Sequence, residues 1–334
     1  MPTVFEICAG AGGQALGLEA AGFDCVAAVE LDPHACETLR INRPQWNVIE
    51  ADVRKVDGTP FRDRADLLAG GVPCPPFSIA GKQLGSDDER DLFPEALRLA
   101  AEIRPRAIML ENVPGFASDK FREYRRGLFA RLRRMGYVPD FRILNASSFG
   151  VPQLRPRCIV VALKPEDSDF FRWPESNGIQ ACTVGELLAD LMGSAGWEGA
   201  RAWVKRACGI APTVVGGSKK HGGPDLGPTR ARQQWAQLGV NGIGISDTPP
   251  AAGFPPDAMP KLTVRMVARL QGFPDDWEFA GRKTAAYRQV GNAFPPPVAQ
   301  AVATAILRAF SRIRDLPHER EQLRIFDRGH AATR

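Results

Sequence analysis

Phe5-Glu6-Ile7-Cys8-Ala9-Gly10-Ala11-Gly12-Gly13 closes a short apolar run and opens a helical one. Residues 4–9 read as a first strand, the glycines break the chain, and residues 14–21 resume with helical spacing. Glycines at such a junction let a ligand approach the backbone and let the helix begin close to the sheet, which suits a nucleoside-containing cofactor. A plain tight turn would use them too. The spacing is not G-x-G-x-x-G, so a nicotinamide dinucleotide is not favoured. On either side of this junction the same alternation continues. Residues 25–30, 67–72, 107–110 and 158–163 are further short apolar runs, with amphipathic stretches at 92–103 and 125–135. The pattern predicts an open α/β fold, a parallel sheet with helices on its faces.

From 165 to 260 the chain turns Gly-, Pro- and Trp-rich with few long periodic stretches, which predicts a separate, mostly irregular or β domain. Helical pattern returns at 263–270 and 298–310, the latter with Val298, Val302, Ile306 and Phe310 on one face. The 334 residues can bury a large core. No basic segment followed by an apolar run opens the chain and no run of apolar residues is long enough to span a bilayer, so a cytoplasmic location is expected, without a membrane partner. Seven cysteines are spread singly, lacking the pairing of zinc or redox sites, so no metal is expected. Net charge is +5, but Arg201, Lys205, Arg206, Lys219, Lys220, Arg230 and Arg232 face only Glu198 and Asp225. That local excess suits a polyanion or a solvated face.

Four further segments carry groups capable of chemistry. Glu30 ends the second apolar run, where acids of nucleoside-binding folds accept ribose hydroxyls; a solvated glutamate is the plainer reading. Gly70-Gly71-Val72-Pro73-Cys74-Pro75-Pro76-Phe77-Ser78 ends a strand in a proline-stiffened turn that fixes one thiol. Such a thiol is a nucleophile if partly exposed and helped towards thiolate, or a small buried apolar group if not. Glu111-Asn112-Val113 again puts a carboxylate at a strand end, so Glu30, Cys74 and Glu111 can share the crevice beyond the carboxyl ends of the strands. Gln153-Leu154-Arg155-Pro156-Arg157 brings two guanidiniums to the start of a strand, as forks for a carbonyl or phosphate or as surface ion pairs.

In order along the chain, these segments and the closing YRQVGNAFPPPVAQAVATAI resemble the motifs of the DNA (cytosine-5) methyltransferase family, over residues 3–163 and 261–306. The resemblance implies a Rossmann-like S-adenosylmethionine-dependent fold in which residues 1–164 begin the catalytic domain. Residues 165–260 would form an inserted target-recognition domain, and 261–334 a hinge and a segment completing the catalytic domain. It implies that Cys74 adds to C6 of a cytosine flipped out of duplex DNA. Glu111 would hold the N3 and amino edge with a raised pKa, and Arg155 and Arg157 the base carbonyl and its surroundings. The cofactor would contact Cys8, Ala9, Gly10, Ala11, Gly13, Glu30, Leu31, Asp52, Val53, Pro73, Leu92, Asn292 and Ala293. DNA would meet Ser78, and Lys82, Gln83 and Arg90 of a loop at 79–91 that closes over the flipped base. Thr213, Lys219, Lys220, His221, Arg230 and Arg232 would meet it from the insert.

Two positions depart from the family pattern. Cys8 stands where a phenylalanine often packs on adenine, and Pro75 stands where a glutamine often follows the catalytic cysteine. The implied protein is a monomer of the bacterial restriction-modification or orphan type, any endonuclease acting separately. The rival readings are a tRNA cytosine methyltransferase and a non-catalytic DNA-binding relative. The first is disfavoured by the insert and by the missing Cys-Phe-Thr tripeptide, the second by intact Cys74, Glu111 and Arg157.

Overall fold

The computed structural model describes residues 1–73, 91–176, 181–216 and 224–312. Its centre is one seven-stranded sheet: β1 (Thr3–Ile7), β2 (Asp24–Glu30), β3 (Val48–Glu50), β4 (Leu67–Gly71), β5 (Ala107–Asn112), β6 (Val138–Asn145) and β7 (Pro156–Leu163). The order is β3-β2-β1-β4-β5-β7-β6, with β1 to β5 parallel and β7 antiparallel to both its neighbours. The chain therefore steps outward from β1 to β3 and then returns to β4 on the other side of β1. That reversal opens a crevice beyond the carboxyl ends of β1 and β4.

Strict alternation along the central strands feeds two cores. Phe5, Leu68, Ile108 and Leu110 point to the face covered by α3 (Phe93–Ile103) and α4 (Arg122–Arg134). Val4, Leu67, Ala69, Ala107 and Met109 point to the other face, covered by α1 (Gly13–Ala21) and the last helix. With both faces buried, the strands read as continuous apolar runs, which is why they were legible. Between β2 and β3 runs α2 (Pro33–Asn42), capped by Asp32 with a proline in its first turn.

After β7 come α5 (Pro165–Ser168), α6 (Val184–Gly193), α7 (Ala200–Arg206) and α8 (Thr229–Gln237). Of the expected irregular or β character only the β part is corrected here, since most described residues of 165–260 lie outside helices and strands. Among the described residues of 165–260 there are four helices, and β pairing is confined to isolated bridges such as Gln153 with Ala211. The tryptophans explain the difference: Trp197, Trp203 and Trp235 are core anchors, packed with Val184, Leu188 and Met192 of α6. A side chain of that size organises a short helix without a long periodic run. Thr183 and Glu186 cap α6 reciprocally.

The chain ends its described part with α9 (Val264–Leu270), α10 (Lys283–Asn292) and α11 (Pro296–Phe310). Val298, Val302 and Ile306 of α11 are buried beside Leu18 of α1 on the sheet. Glycines make this approach possible. A Cβ on Gly17 would lie 2.3 Å from the Pro296 carbonyl oxygen, and one on Gly13 would lie 2.4 Å from that of Phe294. No helix among the described residues is long and apolar enough to cross a membrane.

Candidate active site

The crevice at the sheet reversal is a cavity of about 900 Å³, within the range of small-molecule sites. Its floor is the turn after β1. Cys8, Gly10 and Gly12 all hold positive φ, 52°, 54° and 84°. For Cys8 this is a costly conformation, so the surroundings must impose it. Glu30 supplies part of that constraint: its carboxylate accepts hydrogen bonds from Gly10 N at 2.7 Å and from Leu31 N and Asp32 N at 2.8 Å. The end of β2 thereby fixes the glycine turn. Nothing lies within 4 Å of where a Gly10 Cβ would stand, so the turn offers bare backbone to the cavity.

All thirteen residues assigned by resemblance to the cofactor line this one cavity. Leu31 is 63% exposed and presents an apolar face at the rim, while Val53 is buried. Asp52 already holds Arg54 at 2.6 Å, and that hydrogen bond keeps its carboxyl below the usual aspartate range. Cys8 is no competing nucleophile. Burial, helped by the charges of Glu30, Glu6 and Asp52, pushes its thiol up to about 12.

A second group of residues meets the cavity from β5 and β7. Glu111 is in register with Gly71 of β4, so it stands beside the strand that leads to position 74. The Asn112 side chain donates to the Val72 carbonyl at 3.0 Å and fixes where that strand ends. Arg157 Nε lies 2.7 Å from Glu111 Oε1, both side chains less than 15% exposed. Burial raises the Glu111 carboxyl, while the charges of Arg157 and Arg155 and the Arg157 hydrogen bond pull the other way; the net direction is up, the one expected of an acid that must carry a proton. Cys74 itself lies outside the described residues, as do Ser78, Lys82, Gln83, Arg90, Lys219, Lys220 and His221.

Arg155, expected near Arg157 in support of the site, lines the same cavity. Its guanidinium is buried and donates to the carbonyls of Val214 at 2.5 Å, Gly291 at 2.9 Å and Ala293 at 2.9 Å. Gly291 and Ala293 end α10, where carbonyls lack helical partners and favour a cation. Thr213 lines the cavity, but its hydroxyl donates to the Leu154 carbonyl at 2.5 Å, leaving only acceptor capacity for another contact. Arg230 and Arg232 lie in the first turn of α8, away from the cavity lining.

Among the cavity residues that were not foreseen, Glu6 and Gln14 bear most on the chemistry. Glu6, one residue before the end of β1, is fully buried, and among the described residues neither of its carboxyl oxygens has a hydrogen-bond partner; the same is true of both polar atoms of the Gln14 amide. Burial, and then the charge of Glu30, push the Glu6 carboxyl well above the ordinary range. A buried, unpartnered acid is costly and marks a place where a partner is missing. The available signal was an acid inside an otherwise apolar strand.

A family model, the C-5 cytosine-specific DNA methylases, matches residues 2–308. The chain belongs to that family. It transfers a methyl group to C5 of cytosine in DNA, and the family implies S-adenosylmethionine as the donor. The type II methyltransferase M.NaeI of Lentzea aerocolonigenes is 57% identical over 92% of this methylase and 75% of its own length. M.NgoMIV of Neisseria gonorrhoeae is 55% identical over 93% and 98%. Among solved structures, a prophage-encoded DNA modification methyltransferase of E. coli superposes with a TM-score of 0.66 at 25% identity, covering 93% of this methylase and 100% of that chain. The open α/β fold expected from the strand pattern, and the Rossmann-like form that the resemblance implied, are thus the fold of the family.

Proposed function

We propose that this methylase modifies one cytosine within a defined sequence of duplex DNA, as a monomer in the cytoplasm. Its role would be the modification half of a restriction-modification pair, as in the type II relatives, with any endonuclease acting separately. The reading includes the division into a catalytic domain of residues 1–164 and 261–334 and a target-recognition insert of 165–260. The observation that carries it is the Glu111–Arg157 pair on the wall of the cavity formed at the strand reversal.

In this reading the target base leaves the helix, because its reacting carbons are covered while it is stacked. The Cys74 thiolate would add to C6 and the electron pair move to C5, which would take the methyl group as the donor leaves as S-adenosylhomocysteine; water would then take the C5 proton and elimination free the thiolate. Glu111 donates to the N3 edge as charge develops there. Arg157 spends Nε on Glu111 and Nη1 on the Pro156 carbonyl. Its five N–H donors leave capacity for the base carbonyl oxygen. Arg155 acts at one remove, holding the cavity wall through the three carbonyls it binds.

The residues present fit S-adenosylmethionine, which supplies an electrophilic methyl group when bound. Glycine backbone approaches from the turn after β1, Glu30 and Asp52 lie at the ends of β2 and β3, and Leu31, Val53 and Leu92 give apolar walls. Glu6 and Gln14 offer unpaired polar atoms to the ammonium end. Replacing Glu6 by glutamine should weaken cofactor binding ~10- to 100-fold, the loss of one charge-assisted hydrogen bond, measured by calorimetric titration. In the cofactor-free protein the effect on stability has the opposite sign. The folded-state pKa of Glu6 lies above its unfolded value, so wild-type stability declines as pH rises from the ordinary glutamate range towards the folded value. E6Q should flatten that decline in thermal melts, and equal cofactor affinity in E6Q and wild type would remove Glu6 from this role.

Bisulfite sequencing of mixed-sequence duplex after treatment with purified enzyme and S-adenosylmethionine tests the whole reading. Protected cytosines within one recurrent sequence are expected. Conversion at every site, or protection only in tRNA incubated in parallel, would overturn it.

A further inference from the structure

Tyr287 lies in α10, four residues before the helix reaches Gly291. It is fully buried, yet it carries a polar atom that must be satisfied. Its hydroxyl reaches two carbonyls, Val215 at 2.9 Å and Asp225 at 2.5 Å. Among the described residues no other side-chain polar group contacts both of these segments. Burial raises the hydroxyl above the ordinary tyrosine range, so it remains a proton donor at any working pH.

The first of these segments is pressed against the cofactor cavity. Residues 213–216 line the cavity together with Gly291 and Asn292. Backbone meets backbone there: a Cβ on Gly291 would lie 2.4 Å from Gly216 Cα, and one on Gly216 would lie 2.3 Å from Asn292 Oδ1. Arg155 and Gln153 hold Val214 from the other side, through its carbonyl at 2.5 Å and its N–H at 2.9 Å. The second segment lacks those ties. Leu226 N reaches Gly242 O at 3.1 Å, and Gly227, with φ at 112°, is so close that a Cβ would stand 3.2 Å from Val215 Cγ2.

We infer that Tyr287 is a positioning residue for DNA discrimination: its hydroxyl joins residues 214–216, on the wall of the cofactor cavity, to residues 225–227. The inference rests on the reading of 165–260 as the part that meets DNA. With the joint intact, residues 214–216 beside the cavity and residues 225–227 ahead of α8 keep a fixed separation. Without it, residues 214–216 stay held by Arg155 and Gln153 and residues 225–227 by the buried Leu226 and its bond to Gly242, but the hydrogen-bonded tie between the two is lost.

Tyr287→Phe removes the hydroxyl and keeps the ring. In steady-state assays it should raise KM for cognate duplex ~10-fold and cut the preference for cognate over a one-base-pair variant by a similar factor, while the dissociation constant for S-adenosylmethionine changes less than about twofold. An equal fall in cofactor affinity together with a lower melting temperature would mean simple loss of packing and overturn the inference, as would unchanged KM and preference. Gly227→Ala disturbs the same joint from the side of residues 225–227, its Cβ pressing on Val215 and Ala231, and it should shift KM and preference in the same direction. If Tyr287→Phe does not fold, this second variant decides, and wild-type values for it would overturn the proposal. The wild type in the same assay separates the two levels: no methylation of any duplex sinks the functional reading, whereas selective methylation with unaltered variants sinks the inference alone.

Discussion

Cys74→Ser should eliminate methyl transfer while leaving cofactor and duplex binding within a few-fold of wild type. A serine hydroxyl fits wherever a thiol does, but it is far less acidic and less nucleophilic, and nothing else lining the described cavity can replace it. Cys8, the other thiol there, is pushed up to about 12 by burial and stays protonated. A duplex carrying 5-fluorocytosine at the target separates covalent from direct transfer. After C6 addition and methylation, C5 holds fluorine where a proton would leave, so elimination stops and protein stays bonded to DNA. Wild type with S-adenosylmethionine should give a denaturant-resistant adduct on gels, and Cys74→Ser none. Residual turnover in the serine variant near the wild-type rate would move the nucleophile elsewhere, and absence of the adduct at a site proven by bisulfite sequencing would argue against covalent catalysis.

The parts of this site that were legible in the sequence are those where a chemical group sits at a boundary between two patterns. The glycine turn was visible because an apolar run ends there and a helical one begins; Glu111 was visible because it interrupts an apolar strand at its end. Glu6 escaped notice for the converse reason, since one acid within β1 does not change the apolar pattern around it, and only three dimensions show that it lacks a partner among the described residues. β6 was missed because Pro139 lies within it, a residue admitted only at sheet edges, and this strand is an edge. The helices of 165–260 were missed because their stability comes from Trp197, Trp203 and Trp235, which lie far apart in sequence and meet only in the core. Arg155 was seen as half of a pair with Arg157 on spacing alone. Spacing places both at the start of β7, but which carbonyls await each guanidinium depends on α10, more than 120 residues later, where Gly291 and Ala293 present them.

Glu111→Gln should lower kcat by ~10²- to 10⁴-fold, the usual contribution of a positioned acid–base group, with KM for DNA changed much less. Its pH behaviour follows from what surrounds the carboxyl. Burial raises the pKa, and Arg157 and Arg155 oppose that rise without cancelling it. Donation to the cytosine edge requires the protonated form, whose fraction falls as pH climbs through the raised value, so wild-type kcat should decline on the alkaline side. The amide of the glutamine variant has no proton to lose there, and its residual rate should be flat over the same interval. Arg157→Ala makes the sharper test because it changes the pKa and leaves the carboxyl in place. Removing the guanidinium 2.7 Å away deletes the largest influence that lowers the carboxyl and leaves burial less opposed. Glu111 should then hold its proton to higher pH, so the alkaline limb of kcat should move upward in pH even as kcat itself falls through loss of the base-carbonyl contact. A limb that moves downward, or that persists unchanged in Glu111→Gln, would mean that another group titrates in that range and that Glu111 is not the proton donor.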